Sequence, residues 1–579
     1  IKGLVMNFIA YYWPSLVDLG FLTFLPTHII RATKGNQIKD FMTISNYEKW
    51  KEENDSKGWH IKYYKGLGTS TRKDAKEYFT NLYDKLITYT WQGQLLSEDS
   101  DSDYIEVYSS AEQKDNTNLK TKCKKALDLA FEKSLADKRK EWLSTNISEK
   151  DIIQYDKPEI NIHDFVHGEL KLFSLDDNQR SIPASIDGLK PSLRKILYAC
   201  LKKKCDSKRN EIKVAQLSGY VSEHTAYHHG EASLQGAIIG MAQDYVGKNN
   251  INLLFPNGSF GTRLEGGKDA ASPRYIFTYL SSITKYLFRD EDQPVPKYLD
   301  DDGQKIEPEF YYPIIPTVLV NGGDGIGTGW SCEVPKYNIN DIIENIQNLL
   351  NNKKLKSLKP WYRNFTGTIK KDPNKDNSYE IYGKYKKIND TTLEITELPI
   401  GKWTLKYKTF LDSIIDIKEN KINLIKSYDN YSSDTKVHFI LYFTEEKLKK
   451  LMEKENVYSE LKLITKCKTS NMHLINDYGV VQKYKNVNDI MKSFYESRIL
   501  KYKERKDYWC GKYKNDLDIL KYKRKYIKFN IDKKIKVFGR KKDEVIARIE
   551  KLKFPKLATA YPSLDKDKSY DYIIKLYHF

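Results

Sequence analysis

The last hundred residues constrain the architecture most. From about residue 487, Tyr495, Ile499, Tyr502, Trp509, Tyr513, Leu517 and Leu520 recur at spacings of three, four and seven. Charged residues fill the gaps, which is the pattern of a long coiled-coil arm. The arm is predicted to break near Phe529-Asn530. A short helical piece follows, with Val545, Ile546, Ile549 and Leu552 as its core face, and no returning helix is visible before Phe579. A chain of 579 residues is also too long for one core and should split into three to five domains.

The expected fold class is α/β plus α, in four parts: 1–150, 160–337, 338–484 and 485–579. In the first, Leu4, Phe8, Tyr11 and Leu16 approximate helical spacing, while Trp59, Ile61 and Tyr63 alternate as on a strand. That strand runs into a loop, Lys65 to Thr71, which opens a charged helix bearing Lys73, Lys76 and Glu77. The stretch Glu98 to Asp103 is a solvated acidic loop. In the second part Pro191 sits where a helix begins. Leu193, Ile196, Leu197 and Cys200 share one helical face, and Leu234, Ile238, Met241 and Tyr245 another. Phe255-Pro256-Asn257-Gly258 marks a turn between short apolar runs. Helices followed by such a hairpin suggest a winged-helix unit. The third part is a mixed α/β insertion in which Val437, Phe439, Leu441 and Phe443 alternate, as do Leu393 and Ile395.

Lys and Arg number 97 against 78 Asp and Glu, a net charge of +19. That balance favours an anionic polymer as partner, although richness in Lys, Asn, Ile and Tyr also suits an AT-rich genome. No run of about 20 apolar residues predicts a membrane span. The chain starts at Ile1 without Met and shows no signal peptide, so it is read as part of a longer protein. Its 6 cysteines form no C-x-x-C pair, which points away from zinc and disulfides and toward a reducing compartment.

The chemistry concentrates in Gly266-Gly267-Lys268-Asp269-Ala270-Ala271-Ser272-Pro273-Arg274-Tyr275. With 43 tyrosines in the chain, any single one is more often core or surface than catalytic. Here, however, a guanidinium adjoins the phenol behind a glycine-rich loop. A free phenol has a pKa of ~10, and an adjacent Arg can stabilise the phenolate and clamp a phosphate oxygen. A phosphotyrosyl ester would keep the energy of a broken phosphodiester for resealing. Three nearby clusters look suited to phosphate. Arg180, Lys190, Arg194 and Lys195 gather about the Pro191 helix start, where free N–H groups favour anions. His228 and His229, in Tyr227-His228-His229-Gly230-Glu231, can donate to a phosphate oxygen or move a proton at the leaving oxygen. Asn257 to Arg263 carries glycines that let backbone N–H groups approach an anion. Ile326, inside Asn321-Gly322-Gly323-Asp324-Gly325-Ile326-Gly327-Thr328-Gly329-Trp330, is a candidate wedge between base steps. The plainer alternatives remain open at this level: a solvated basic helix start, a structural histidine pair, a buried isoleucine.

Taken in order, these motifs resemble the breakage–reunion core of a type IIA DNA topoisomerase of the eukaryotic kind. The stretch Lys62 to Thr71 resembles the later half of that family's TOPRIM domain, and Ile395-Thr396-Glu397-Leu398-Pro399-Ile400 its tower. The resemblance covers essentially the whole chain. It implies that Tyr275 forms a 5′-phosphotyrosyl bond, assisted by Arg274, His228 and His229. Arg180, Lys190, Arg194, Lys195, Arg263, Lys268 and Lys65 would contact bent double-stranded DNA, and Ile326 would intercalate. It further implies a homodimer that passes a second duplex through the break using ATP and Mg2+. Ile1-Lys2-Gly3-Leu4 matches the sequence just after the family's acidic magnesium motif, so no metal ligand is expected in this chain, nor the ATPase module. The chain alone is expected to bind DNA without cleaving it. Nuclear localisation follows for a cellular source, and host cytoplasm (viral factory) or nucleus for a large DNA virus. Two other readings stand beside this one: a non-catalytic DNA-bending scaffold of the same fold, and one chain of a bacterial-type gyrase or topoisomerase IV.

Overall fold

The computed structural model describes the whole chain except residues 55–56, 65–69, 92–117, 146, 148–152, 154, 156, 228, 302–303, 416–423, 454–455, 537–539, 559–567 and 578–579. It is a mixed α/β protein whose apolar residues collect in several separate clusters. Near the N-terminus, strand Ile30–Lys34 lies between Gln37–Phe41 and His60–Tyr63, all antiparallel. Ile30, Ala32, Phe41 and Trp50 form its core, and Trp59, Ile61 and Tyr63 pack against it from the predicted strand face. The following helix, Arg72–Phe79, is N-capped by Thr71, with Asp74 closing a reciprocal capping box.

Helix Lys2–Tyr12 turns a different face inward from the one its spacing predicts. Leu4, Phe8 and Tyr11 are 64%, 52% and 77% exposed, while Gly3, Met6, Ile9 and Ala10 are buried. The helix carries apolar residues all round, so periodicity does not fix its inner face. Gly3 does: a Cβ there would lie 3.1 Å from the Phe131 ring and 3.2 Å from Leu170, so the helix backs closely onto its neighbours through its smallest residues.

The largest core gathers helices Pro191–Lys203, Val214–Thr225 and Glu231–Ala242 around Leu197, Leu217, Leu234 and Leu254. Pro191 occupies the first turn of its helix, as predicted. Beside the helices runs a three-stranded antiparallel sheet in the order Ile212–Lys213, Phe277–Leu280, Leu254–Asn257. The same core takes in helix Ile339–Leu350 through Ile342, and returns to the chain at Met472, Leu474, Ile490 and Phe494. A four-stranded antiparallel sheet orders Lys384–Asn389, Thr392–Glu397, Phe439–Tyr442 and Ser427–Asn430, and buries Leu393, Ile395, Phe439 and Leu441.

The arm is one helix, Val487–Ile531, capped by Asn486, whose side chain accepts from Asp489 N. Its 45 residues span about 68 Å at ~1.5 Å each. It leaves the core through Ile490, Met491 and Phe494, then exposes Tyr513, Leu517 and Leu520. Tyr526 closes a small distal core with Val545, Ile549 and Phe554. Among the described residues, no helix is long and apolar enough to cross a membrane.

Candidate functional site

Tyr275 stands 77% exposed at the end of the glycine-rich loop, immediately before strand Phe277–Leu280. The loop beneath it is fixed. Asp269 accepts from Thr262 N at 2.9 Å and from its hydroxyl at 2.5 Å, Gly267 N donates to Thr262 O, and Ala271 N donates to Ser259 O. Gly261, Gly266 and Gly267 all have positive φ. At Gly266 and Gly267 the packing also demands glycine. A Cβ at Gly266 would sit 2.3 Å from the Trp403 ring, and one at Gly267 would sit 2.3 Å from Gln243 Nε2. Gln243 in turn donates to Phe260 O and Gly267 O. Past the loop, Ala215 N and Val214 N donate to Pro273 O and Ile276 O, tying the tyrosine to the start of helix Val214–Thr225. Arg274 and Lys268 are exposed beside it.

His229 lies exposed in the turn between helices Val214–Thr225 and Glu231–Ala242, edge-on to Tyr227 at 5.3 Å. That turn connects to the tyrosine loop through Ser218, whose Oγ is 3.3 Å from Glu231 Oε1 and 2.8 Å from the carbonyl of Ala215. His228 and Lys65 lie outside the described residues.

Ile326 is 85% exposed on a hairpin, Gly323–Ile326 paired with Ser331–Val334. A Cβ at Gly325 would lie 2.1 Å from Ser181 O, and one at Gly327 would lie 2.2 Å from Asn178 Oδ1, so the hairpin rests directly on the end of helix Lys171–Ser181. Asn178 Nδ2 donates to Thr328 O at 3.1 Å, and Thr328 Oγ1 donates to Asp177 at 3.0 Å. The other oxygen of Asp177 holds Arg180 at 3.1 Å, and the guanidinium lies over the Phe173 ring. The structure thereby brings Arg180 and Ile326 together, both reaching solvent from one helix end.

Three of the expected DNA cations point inward instead. Arg194 is 6% exposed and donates to both oxygens of Asp187, at 2.8 and 3.1 Å, and to Leu189 O. Arg263, 5% exposed, pairs with Glu397 on the four-stranded sheet. Lys195 donates to Thr225 O at 2.5 Å and pairs with buried Glu307 at 2.7 Å. The reason is common to all three: Asp187, Glu307 and Glu397 are buried carboxylates, and such a charge needs a cation or several donors. Lys190, the N-cap of the 191–203 helix, remains partly exposed.

Sequence reasoning missed the residues that hold the loop in place. Glu397 accepts from Arg263, Thr366 N and Leu398 N, and Thr404 N and Leu405 N donate to the carbonyls of Arg263 and Leu264. Glu397 was visible inside the Ile395 to Ile400 motif, and Asp187 seven residues before Arg194. Nothing local marked Trp403 or Gln243 as partners of the loop. The magnesium that the resemblance implies finds no ligand set here: among the described residues no three His, Cys, Asp or Glu group closely enough to hold a metal. No chemical step is assigned to a metal on these residues.

Comparison with known proteins agrees with this geometry. Residues 180–577 match the family model for the DNA-gate chain of DNA gyrase/topoisomerase IV, and residues 25–116 and 95–178 match the C-terminal associated domain of TOPRIM. The chain therefore belongs to the type IIA DNA topoisomerase family. It is 44% identical over 553 residues to DNA topoisomerase 2 of Arabidopsis thaliana, covering 94% of this chain and 35% of that protein. With the Acanthamoeba polyphaga mimivirus DNA topoisomerase 2 it shares 39% identity, over 97% of this chain and 51% of the other. The chain thus spans between about a third and a half of the relatives it matches. A crystal structure of the Plasmodium falciparum topoisomerase II DNA-binding, cleavage and re-ligation domain superposes with a TM-score of 0.78 at 39% identity, over 99% of this chain and 76% of that one.

Proposed function

We propose that this chain is the DNA-gate core of an ATP-dependent type II topoisomerase, with Tyr275 as nucleophile. The observation that carries the reading is an exposed phenol beside Arg274 on a loop with almost no freedom to move. In the proposed step, the Tyr275 oxygen attacks a backbone phosphorus and the P–O3′ bond breaks. The phenol proton ends on the 3′ oxygen, and the DNA is left as a 5′-phosphotyrosyl ester. Resealing reverses each transfer. Arg274 supplies charge to the equatorial oxygens, and His229 a donor at the leaving side. Helices 191–203, 214–225 and 231–242 with their three-stranded sheet act as a winged helix, residues 384–443 belong to a tower, and the N-terminal sheets belong to a TOPRIM domain.

Duplex DNA then runs over Lys190, Arg180 and Lys268, with Ile326 pressed between base steps. Two copies would each cut one strand, and a second duplex would pass with ATP turnover in the whole protein, with Mg2+ held outside the described residues. A nuclear or viral-factory site of action fits that role.

The decisive experiment is denaturant trapping of the covalent complex in the full-length protein. Tyr275→Phe is expected to remove trapping by at least ~10³-fold while DNA affinity stays within about twofold, because only the nucleophilic oxygen is lost. Trapping that survives the change would show that another residue attacks.

A further inference from the structure

The root of the long arm contains a pocket that the DNA chemistry does not use. A cavity of about 300 Å³ opens between helix Ile339–Leu350 and the first turns of the arm. Its walls are almost wholly apolar: Ile314, Ile343, Ile346, Leu350, Phe494 and Ile499. One charged group lines it. Arg498 is 3% exposed, and its Nη2 donates to Asp292 at 2.6 Å. Its Nε and Nη1 are buried without a hydrogen-bond partner. Asp292 does not neutralise it fully, because Arg505 takes the other carboxylate oxygen at 3.0 Å. The Tyr502 ring supports the guanidinium at 3.9 Å, filling one of its faces but neither free N–H.

Two buried, unused N–H groups on a cation are costly in a protein interior, and an oxygen pair would satisfy them together. The volume matches the small end of ligand pockets. We propose that this pocket binds a small apolar carboxylate, its body among the isoleucines and its carboxylate on Nε and Nη1 of Arg498. A ligand there would touch both the core and the arm, and so would bias the direction in which the arm leaves. The proposal is independent of the nucleophile assignment, since no residue of the tyrosine loop takes part.

The test uses 4-tert-butylbenzoate as probe, with 4-tert-butylbenzamide as its uncharged control, titrated into the purified protein by calorimetry and by ligand-observed NMR. The benzoate is expected to bind at least about tenfold more tightly than the amide, the difference that a charge-assisted pair makes. Leu350→Trp, at the exposed rim, should fill the cavity and abolish binding without disturbing Arg498. Arg498→Lys should lower benzoate affinity while leaving amide binding unchanged. Equal binding of benzoate and amide, benzoate binding undiminished in Leu350→Trp, or no benzoate binding at millimolar concentration would each overturn the proposal.

Discussion

The tyrosine loop and the isoleucine hairpin solve one problem in two ways. Each presents a single side chain to solvent, Tyr275 or Ile326, from a backbone rich in glycine. Each keeps that side chain in place by letting the glycines approach where a Cβ cannot fit. They differ in what they lean on. The hairpin rests on backbone and side chain of the neighbouring helix Lys171–Ser181, within the central core. The tyrosine loop leans on a separately clustered part of the chain, through Trp403 against Gly266 and Glu397 against Arg263. The wedge is thus fixed locally, whereas the nucleophile depends on how the central core and the four-stranded sheet are joined.

The sharpest way to break that contrast is to compare two arginines of the same basic set. Arg263→Ala leaves Glu397 buried without its cation and should cost about 3–5 kcal/mol. Arg180→Ala removes an exposed pair with Asp177 and should cost under ~1 kcal/mol. Urea denaturation of both variants measures the difference directly. Similar losses would mean that burial of the Arg263 pair does not govern its contribution.

Glycine substitutions separate the two supports next. At Gly325 the obstacle is the Ser181 carbonyl, which cannot move without its helix. At Gly266 it is the Trp403 ring, on a backbone with φ +66. Both changes to Ala should destabilise by about 1–3 kcal/mol. Only Gly266→Ala should alter Trp fluorescence at Trp403 and slow covalent trapping in the full-length protein. An equal trapping defect in Gly325→Ala would show that the two loops are coupled.

Much of this contrast was open to view in the sequence, and some of it could not be. Exposure of Tyr275 and Ile326 followed from the glycines around them, because such backbone is rarely built into a core. The Pro191 helix start and the alternation of Leu393 with Ile395 were equally local and came out as expected. What failed was the sign of a cation's direction. Arg194, Lys195 and Arg263 sit in the same motifs as Arg180 and Lys190, and nothing in residue type separates a phosphate ligand from a buried partner of Asp187, Glu307 or Glu397. Those pairings span from 7 to 134 residues of sequence, and only the fold brings the longer ones together. The first helix failed for a related reason: an all-round apolar helix has no periodicity to read, and Gly3 chose its face.

A pH measurement sharpens the account of the hairpin's base. Lys336 follows strand Ser331–Val334 and lies 5.8 Å from the Tyr362 ring. Burial, with help from Lys248, pushes its ammonium down to about 8. Its folded value thus lies below the ~10.4 of an unfolded lysine. Between those values the unfolded chain binds the extra proton, so stability must rise with pH across the window. Below about pH 8 the charged form is held in both states, and the full penalty is present. Lys336→Met should therefore stabilise the protein at pH 7, on the order of 1–3 kcal/mol. The difference between variant and parent should shrink as pH rises from 8 to 10 in thermal melts. A constant difference would mean that Lys336 is already solvated in the folded state.

The smallest expected effect concerns the surface the two loops share. If DNA crosses from the tyrosine loop to the hairpin, Lys190 lies on its path at the start of the 191–203 helix and is not committed to a buried carboxylate. Lys190→Ala should weaken binding about equally for all sequences and make the salt dependence shallower by about one unit. Ile326→Ala should leave that slope unchanged, since it neutralises no phosphate, and should instead reduce the bend read by energy transfer between dyes at the ends of a short duplex. The pair of variants therefore assigns charge and deformation to different residues. A slope change in Ile326→Ala, or a lost bend in Lys190→Ala, would mean that bending and phosphate contact are one event on this surface.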